Sequence, residues 1–372
     1  MASQMKVAKL TLWSVDLTSH QTYHMADGKS CATVETHVLC LETDSGLKGW
    51  GEVCPIPHYL PAFAKGIPSA LTEMAPEIFG ITPLGIDAPM RKLDGFLPGH
   101  AAAKSIVDIA LWDLFGKATD LPLYALLGGR TRKDMPLYHS ITCIAPDEMA
   151  RIAKEAYATG IRQFQAKLGA DDDWQADAER LIKVRAAVGE GPLVYGDWNC
   201  GATKLHATRT GRAVAHLDVM LEQPCATLED CAAVRQATGL PMKIDECAHD
   251  LPSLMRAAEL GCLDAVALKL SKFGGLSAMR RARDVTVHLG AEICAECTWG
   301  SDIVMAASLH FAASTPQGSL LNTCDLATYV APRLCPDAPN RENGRIAPPE
   351  GPGLGVTPDA DVLGTPVLEL SA

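Results

Sequence analysis

The sequence contains no long hydrophobic run. No apolar stretch among its 372 residues reaches the roughly 18–20 residues that a membrane helix requires. The first residues, Met1 to Trp13, show no basic segment followed by an apolar core, which is the pattern of a secretory signal. We therefore expect a cytoplasmic protein with no membrane partner.

Positive charge is also scarce. The chain has 33 Lys and Arg residues against 44 Asp and Glu residues, for a net charge of −11. Such a charge disfavours binding to the phosphate backbone of nucleic acids. The sequence therefore favours a small-molecule partner over a nucleic acid.

The cysteines lack the spacing of a zinc site. Thirteen are scattered along the chain, and Cys294 and Cys297 form a CxxC pair without a second pair at the distance that zinc requires. This usage is typical of a reduced compartment, in which most cysteines serve as small buried hydrophobic residues.

The first 130 residues have the pattern of an α+β domain. Alternating apolar and polar residues predict strands over 5–17, 34–42 and 47–53. A polar loop is predicted from Ser19 to Ser30. Apolar residues at helical spacing predict helices over 62–80, 86–97 and 101–118.

From residue 131 to 345 strands and helices alternate strictly. Strands are predicted at 137–143, 162–168, 192–197, 218–222, 242–245, 264–270, 291–296 and 319–323. Eight strands separated by helices indicate a parallel α/β barrel as the main domain. The remaining segment, 346–372, is rich in Gly and Pro, and we expect it to return to the first domain.

Charged residues recur at the ends of these strands. Lys167, Asp197, Glu222, Asp245 and Lys269 follow one another at steps of 30, 25, 23 and 24 residues. Barrel enzymes carry their catalytic groups at the carboxyl ends of the strands. A single acid there would more often cap the next helix, but three on successive strands favour a Mg²⁺ site with carboxylate ligands.

The two lysines flank the three acids. A lysine beside a divalent cation loses part of its preference for the charged form, so its pKa falls and it can remove a proton. Lys167 and Lys269 are placed to approach opposite faces of one substrate. This arrangement predicts removal of the proton α to a carboxylate, and return of a proton on the other face would invert the stereocentre. Taken alone, either lysine would more often be a salt-bridged side chain.

These motifs resemble those of the enolase superfamily, in its mandelate racemase/muconate lactonizing enzyme branch. The similarity includes 46–52 (GLKGWGE), 110–129, 197–201 (DWNCG), 221–224 (LEQP), 274–275 (GG) and 352–355 (PGLG). It implies a modified TIM barrel, (β/α)7β, under an N-terminal α+β capping domain that the C-terminal tail completes. It also implies Mg²⁺ on Asp197, Glu222 and Asp245, Lys167 and Lys269 as the acid/base pair, and a homo-oligomer.

One residue departs from the usual pattern of this branch. Where a Lys-x-Lys pair is customary, the chain has Gln165 before Lys167, an arrangement similar to that of proline-betaine and hydroxyproline-betaine 2-epimerases. By that resemblance, Tyr59 is expected to contact a quaternary ammonium by cation–π attraction, and Glu296 to face the cation. Gln165 and Asn199 are further expected substrate contacts.

The segment after the eighth strand differs from that group. Residues 322–326 contain no aromatic residue, and Asp325 there suits an ammonium that carries protons. The sequence therefore predicts a Mg²⁺-dependent racemase or epimerase acting on a proline-like or N-substituted amino acid carboxylate. The alternatives are a dehydratase of a hydroxyproline-like acid, a cycloisomerase, and a non-catalytic binder of cationic amino acids.

Overall fold

The structure, a computed structural model, describes residues 5–57 and 59–372. Its strands are β1 (Val7–His24), β2 (Ser30–Thr43), β3 (Lys48–Val53), β4 (Met135–Pro136), β5 (Tyr138–Ile141), β6 (Gln163–Lys167), β7 (Leu193–Asp197), β8 (Met220–Glu222), β9 (Met242–Ile244), β10 (Ala265–Lys269), β11 (Glu292–Glu296), β12 (Leu320–Thr323), β13 (Val330–Ala331), β14 (Arg345–Ile346) and β15 (Leu368–Ser371).

The helices lie between these strands. They are α1 (Gly66–Ile78), α2 (Asp87–Phe96), α3 (Ala101–Thr119), α4 (Leu123–Leu126), α5 (Pro146–Ala158), α6 (Trp174–Val188), α7 (Lys204–Val214), α8 (Leu228–Thr238), α9 (Leu251–Glu259), α10 (Leu270–Phe273), α11 (Leu276–Leu289), α12 (Asp302–Ser314) and α13 (Ala360–Leu363). Among the described residues, none of these helices has the length and apolar character needed to span a bilayer.

The barrel is an eight-stranded parallel sheet in the order β12-β11-β10-β9-β8-β7-β6-β5. A parallel bridge between Leu137 and Thr323 joins its two edges. The strands are buried on both faces, as in β10, where every residue is buried. This architecture confirms the predicted barrel and cap, while the domain limits at 130/131 and 345/346 stay a prediction.

The N-terminal sheet is antiparallel and extends further than the sequence predicts. Its order is β13-β1-β2-β3, and β1 pairs with β2 as far as His24 and Ser30. The predicted loop from Ser19 to Ser30 is therefore wrong for most of its length. Residues 18–24 of this two-stranded ribbon are mostly exposed, with Tyr23 as a buried exception, so the segment lacks the apolar alternation that marks a half-buried strand.

The C-terminal tail completes the capping sheet, as predicted. Strand β15 pairs antiparallel with β1, from Lys9 opposite Ser371 to Leu12 opposite Leu368. Ahead of it, Gly353 adopts a φ of 68° and its carbonyl accepts a hydrogen bond from Leu123 N at 3.1 Å.

Glu52 joins the cap to the barrel. Its buried carboxylate accepts hydrogen bonds from Ser301 N at 2.7 Å and Val304 N at 3.0 Å, at the start of α12, and from Thr36 Oγ1 at 2.9 Å. Negative charge at a helix N-terminus is favourable. This contact fixes β3 against the end of the barrel where β11 terminates.

Candidate active site

The strand register brings the candidate residues to one end of the barrel. Lys167 at the end of β6 lies opposite Asp197 at the end of β7, and Asp197 lies opposite Glu222 at the end of β8. Asp245 follows β9 directly, and Lys269 ends β10. All five side chains are buried.

The two lysines come from opposite walls. Strands β6 and β10 are four positions apart in a ring of eight, so their side chains enter the barrel from facing sides. Lys167 and Lys269 line the same cavity, which has a free volume of about 40 Å³. This volume holds only a few water molecules. Tyr59 also lines the cavity, and its hydroxyl contacts both Lys269 and Asp245.

The three carboxylates do not cap the helices that follow them. Those helices are capped by Thr203, Thr227 and Asp250, whose side chains accept hydrogen bonds from the first turns of α7, α8 and α9. Asp197, Glu222 and Asp245 therefore do not serve as helix caps, and their buried side chains remain available inside the barrel.

Gln165 connects two of these carboxylates. Its Nε2 donates to Asp197 Oδ2 at 3.1 Å and to Glu222 Oε2 at 2.7 Å, while its Oε1 accepts from Ser140 Oγ at 2.5 Å. Lys167 Nζ donates to Asp197 Oδ2 as well. The amide thus stands beside the acids in the place where this branch customarily carries a lysine.

Burial and mutual repulsion disfavour ionisation of the acids. Burial raises the pKa of Glu222 to about 8, with Lys243 opposing and the charge of Asp197 adding to the increase. Burial likewise raises the pKa of Asp245 to about 6, against the effect of Lys272. A divalent cation would relieve this repulsion, and oxygen ligands of this kind are those that Mg²⁺ prefers.

The carboxylate oxygens are turned toward nitrogen donors. Lys269 Nζ donates to Asp245 Oδ2 at 2.5 Å, Lys272 Nζ to Asp245 Oδ1 at 2.8 Å, and Lys243 Nζ lies 2.9 Å from Glu222 Oε1. Within residues 5–57 and 59–372, no three His, Cys, Asp or Glu side chains stand in the arrangement of a metal site. Although their side chains are not arranged around a common point, Asp197, Glu222 and Asp245 fit Mg²⁺ by donor type, burial and charge.

The two lysines differ in their electrostatic surroundings. Burial lowers the pKa of Lys269 to about 8, with Glu296 opposing this effect and Lys272 reinforcing it. Burial alone would also lower the pKa of Lys167, but the charges of Asp197 and Glu222 outweigh it and raise that pKa.

Aromatic rings are concentrated around this cavity. The chain has seven tyrosines and six tryptophans, and the cavity is lined by Tyr23, Tyr59, Tyr138, Tyr329 and Trp299. The Tyr23 and Trp299 rings meet edge to face with their centres 5.4 Å apart. The Trp299 indole N–H is buried without a hydrogen-bond partner among the described residues.

The expected substrate contacts divide into two groups. Tyr59, Gln165 and Glu296 line the cavity, whereas Asn199 and Asp325 are not among the described residues that do. Asn199 lies beside the acids, where its Nδ2 donates to Asp197 Oδ2 at 3.1 Å. Asp325 is buried and accepts from Arg341 Nε at 2.5 Å, so its charge is already compensated.

Glu296 is held by groups that sequence reasoning missed. Its Oε2 accepts from Tyr138 OH at 2.5 Å, and its Oε1 lies 3.6 Å from Lys243 Nζ. Burial opposes its ionisation, but Lys269 and Lys243 lower its pKa to about 2. Lys243 is fully buried in β9. Its position inside a short apolar strand is the sequence signal from which the burial of Lys243 could have been predicted.

Two family models match the chain. The mandelate racemase/muconate lactonizing enzyme N-terminal domain matches residues 8–128, and the enolase C-terminal domain-like family matches residues 148–362. The chain therefore belongs to the mandelate racemase/muconate lactonizing enzyme branch of the enolase superfamily, and it is an enzyme of that superfamily. Members of the superfamily generally bind Mg²⁺.

Individual relatives cover nearly the whole chain. It is 40% identical to a cis-3-hydroxy-L-proline dehydratase of Roseibium aggregatum, over 99% of this chain and 100% of that protein. It is 27% identical to an N-succinyl-L-Arg/Lys racemase of Bacillus cereus, over 96% and 97%. A member of the enolase superfamily from Roseovarius nubinhibens, complexed with magnesium, superposes with a TM-score of 0.93 at 33% identity, over 99% and 100%.

Proposed function

We propose that this protein removes the proton α to the carboxylate of a proline-like amino acid, with Lys167 and Lys269 as the opposed acid and base. The observation that carries the proposal is that both lysines line one cavity from facing walls of the barrel. A proton taken by one lysine can then be matched by a proton delivered from the other. General acid/base groups of this kind contribute roughly 10²–10⁴-fold to a rate.

Asp197, Glu222 and Asp245 are the residues that would hold Mg²⁺. When bound, Mg²⁺ stabilises the negative charge that develops on the substrate carboxylate as the α proton leaves. Gln165 would hold Asp197 and Glu222 in position through its two donated hydrogen bonds. The magnesium-containing relative supports this part of the proposal.

The cavity favours a substrate with a positively charged nitrogen. Aromatic rings attract such a group by about 0.5–2 kcal/mol per favourable contact, and five of them surround the cavity. Gln165 is neutral, so it avoids the repulsion that a second lysine would exert on the substrate cation. A free or N-alkylated ring amino acid has this charge, whereas a simple hydroxy acid does not.

Dehydration is the outcome that the similarities favour. In a cis-3-hydroxy-L-proline ring the hydroxyl lies on the same face as the carboxylate, and the α hydrogen lies on the opposite face. One lysine would break the Cα–H bond from its side, and the other would protonate the departing hydroxyl from the facing side. Water leaves, and the resulting enamine tautomerises to a cyclic imine. Opposed lysines therefore suit this anti elimination, and the 40% identical dehydratase supports it.

Epimerisation is the second candidate. It shares the first step and needs only that the facing lysine return a proton to Cα, so the same residues serve it. The similarity to a racemase at 27% identity supports this reaction. A ring without a β-hydroxyl, such as proline or its N-methylated forms, could react only in this way.

Solvent exchange distinguishes these possibilities. The purified protein with Mg²⁺ in D₂O would be incubated separately with cis-3-hydroxy-L-proline, its trans isomer and N,N-dimethylproline, and followed by proton NMR. Formation of Δ1-pyrroline-2-carboxylate from the cis isomer supports dehydration. Loss of the α-proton signal with inversion supports epimerisation. Binding of these compounds without exchange on any of them would refute the enzymatic proposal and favour a binder of cationic amino acids.

A further inference from the structure

The side-chain amide of Gln165 has two ends of similar shape and opposite hydrogen-bonding character. Its NH₂ group only donates, and its oxygen only accepts. The NH₂ group faces Asp197 at 3.1 Å and Glu222 at 2.7 Å. Rotation of the amide by half a turn would instead direct its oxygen toward the two carboxylates, and these acceptors would repel one another. The orientation of this amide therefore decides whether Gln165 holds the acids in place or pushes them apart.

Ser140 favours the orientation in which Gln165 holds the acids. Ser140 is buried in β5, directly opposite Gln165 in β6. Its Oγ lies 2.5 Å from Gln165 Oε1. Because an amide oxygen has no proton to give, the Ser140 hydroxyl must donate its single proton to this oxygen. Without that hydroxyl, Gln165 Oε1 would be buried with no hydrogen-bond partner among the described residues.

Tyr23 joins this arrangement from the capping domain. Its side chain is buried at the end of β1, and its hydroxyl forms a hydrogen bond with Ser140 Oγ. The proton of Ser140 is already given to Gln165, so the Ser140 oxygen must accept here and Tyr23 must donate. Burial raises the pKa of Tyr23 well above its ordinary value, so the phenol keeps the proton that it donates.

The candidate metal ligands fix the direction of the whole series of hydrogen bonds. Ionised carboxylates only accept, so Asp197 and Glu222 require a donor from Gln165. Gln165 then requires a donor from Ser140, and Ser140 requires one from Tyr23. Hydrogen bonds connected in this way strengthen one another through polarisation. The series therefore links the cap to two of the three acids through groups whose orientations are all determined.

The backbone of Ser140 is held by other groups. Ser140 N donates to the Tyr329 hydroxyl at 3.2 Å, and that hydroxyl lies 3.2 Å from His139 Nδ1. Tyr329 thus binds the backbone of Ser140, whereas Tyr23 binds its side chain. Removal of the Ser140 hydroxyl or of the Tyr23 hydroxyl should therefore leave the path of β5 unchanged.

We infer that Ser140 and Tyr23 are positioning residues that orient the Gln165 amide, so that its NH₂ group holds two candidate metal ligands. The inference rests on the proposed function, in which Asp197 and Glu222 hold Mg²⁺. Groups that hydrogen-bond metal ligands, or their partners, contribute roughly 10–100-fold to metal affinity. Because Tyr23 belongs to the cap, correct placement of the cap is a condition for tight binding of the ion.

Titration of Mg²⁺ alone in a calorimeter tests the role of the two hydroxyls. Ser140→Ala should bind Mg²⁺ about tenfold more weakly than the wild type, and Tyr23→Phe should change the affinity in the same direction. Ser308→Ala should bind as the wild type does, because the buried Ser308 Oγ donates to Val304 O within α12 at 3.0 Å. No substrate is present, so a role limited to substrate contact would leave the affinity of Ser140→Ala unchanged. That result would overturn the inference.

A double-mutant cycle separates action through Gln165 from a general effect on the fold. Gln165→Met removes the amide and keeps a side chain of similar length. In the Gln165→Met protein, Ser140→Ala should cause no further loss of Mg²⁺ affinity, because the group that Ser140 orients is absent. Losses at independent sites add. A further tenfold loss in the double variant would overturn the inference, since Ser140 would then act by another route.

Urea unfolding of the same four proteins in EDTA tests the hydrogen bonds without the metal. The double variant should be destabilised by less than the sum of the two single variants, because both substitutions remove the same hydrogen bond. Additive losses would overturn the inferred series. If the wild type binds no Mg²⁺ in the calorimeter, the proposed metal site fails, whereas the unfolding cycle still decides whether Ser140 is coupled to Gln165.

Discussion

Asp108 should make the stability of the protein depend on pH. It lies in α3, fully buried, and its Oδ2 accepts a hydrogen bond from Ser277 N at 3.0 Å at the start of α11. Its Oδ1 has no hydrogen-bond partner among the described residues. Burial raises the pKa of Asp108 from the ordinary 3.8 to about 7, and the contact with Ser277 opposes this only in part.

The direction of the pH dependence of stability follows from this increase in the pKa of Asp108. Because the folded protein holds the proton more tightly than the unfolded chain, the stabilising contribution is complete below pH 3.8 and is lost as pH rises through about 7. Each pH unit in that window costs about 1.4 kcal/mol. Between pH 5 and pH 8 the wild-type protein should therefore lose about 3 kcal/mol through this group alone.

Asp108→Asn removes the titration and leaves a group of similar shape. Urea unfolding of both proteins at pH 5, 6, 7 and 8 gives the difference in their free energies of unfolding, and any constant effect of the substitution cancels in its slope. We expect the variant to gain about 3 kcal/mol relative to wild type across this range. Asp172→Asn, at an exposed position, is measured alongside as the control for the same chemical change at the surface. A difference that stays constant with pH would refute the reasoning.

Four further substitutions test the site and the contact between cap and barrel. Lys167→Met and Lys269→Met should each lower turnover by roughly 10²–10⁴-fold or more, measured by NMR; wild-type rates in either would remove that lysine from the mechanism. Gln165→Lys should weaken binding of N,N-dimethylproline more than that of an uncharged ring carboxylate, because it adds a cation to the wall of the cavity; calorimetry that finds equal losses would contradict the proposed role of the neutral Gln165. Glu52→Ala should lower the free energy of unfolding by about 2–6 kcal/mol, because the amides of Ser301 and Val304 lose their buried acceptor at about 1–3 kcal/mol each; a loss below 1 kcal/mol in urea unfolding would show that water replaces the carboxylate.

The barrel could be predicted because each of its strands is a short apolar run that can be recognised locally in the sequence. Strand β10 is an apolar run that ends in Lys269, and the sequence spacing alone placed it beside β9 and β11. The same spacing placed Asp197, Glu222 and Asp245 at one end of the sheet, because the carboxyl ends of neighbouring parallel strands lie at the same end of the barrel. Their metal-binding role stays a prediction.

The walls of the cavity could not be predicted in this way. Tyr23 lies in a ribbon that carries no apolar alternation, and it meets Trp299 from the other end of the chain. Tyr329 lies four residues past Asp325, outside the segment 322–326 in which a substrate contact was predicted. Lys243 faces into the barrel, where it approaches Glu222 and Glu296. Such contacts arise from the closure of the barrel and the seating of the cap, which no local pattern records.

The pairing of β15 with β1 has a consequence for the synthesis of the protein. Leu12 finds its partner Leu368 only 356 residues later, after the barrel strands have left the ribosome. Until then one edge of β1 lacks its final neighbour, and an open strand edge invites pairing with other chains. The cap, with Tyr23 on its first strand, therefore reaches its final form last. Aggregation during translation, more than collapse of the finished fold, is the hazard that this order of assembly creates.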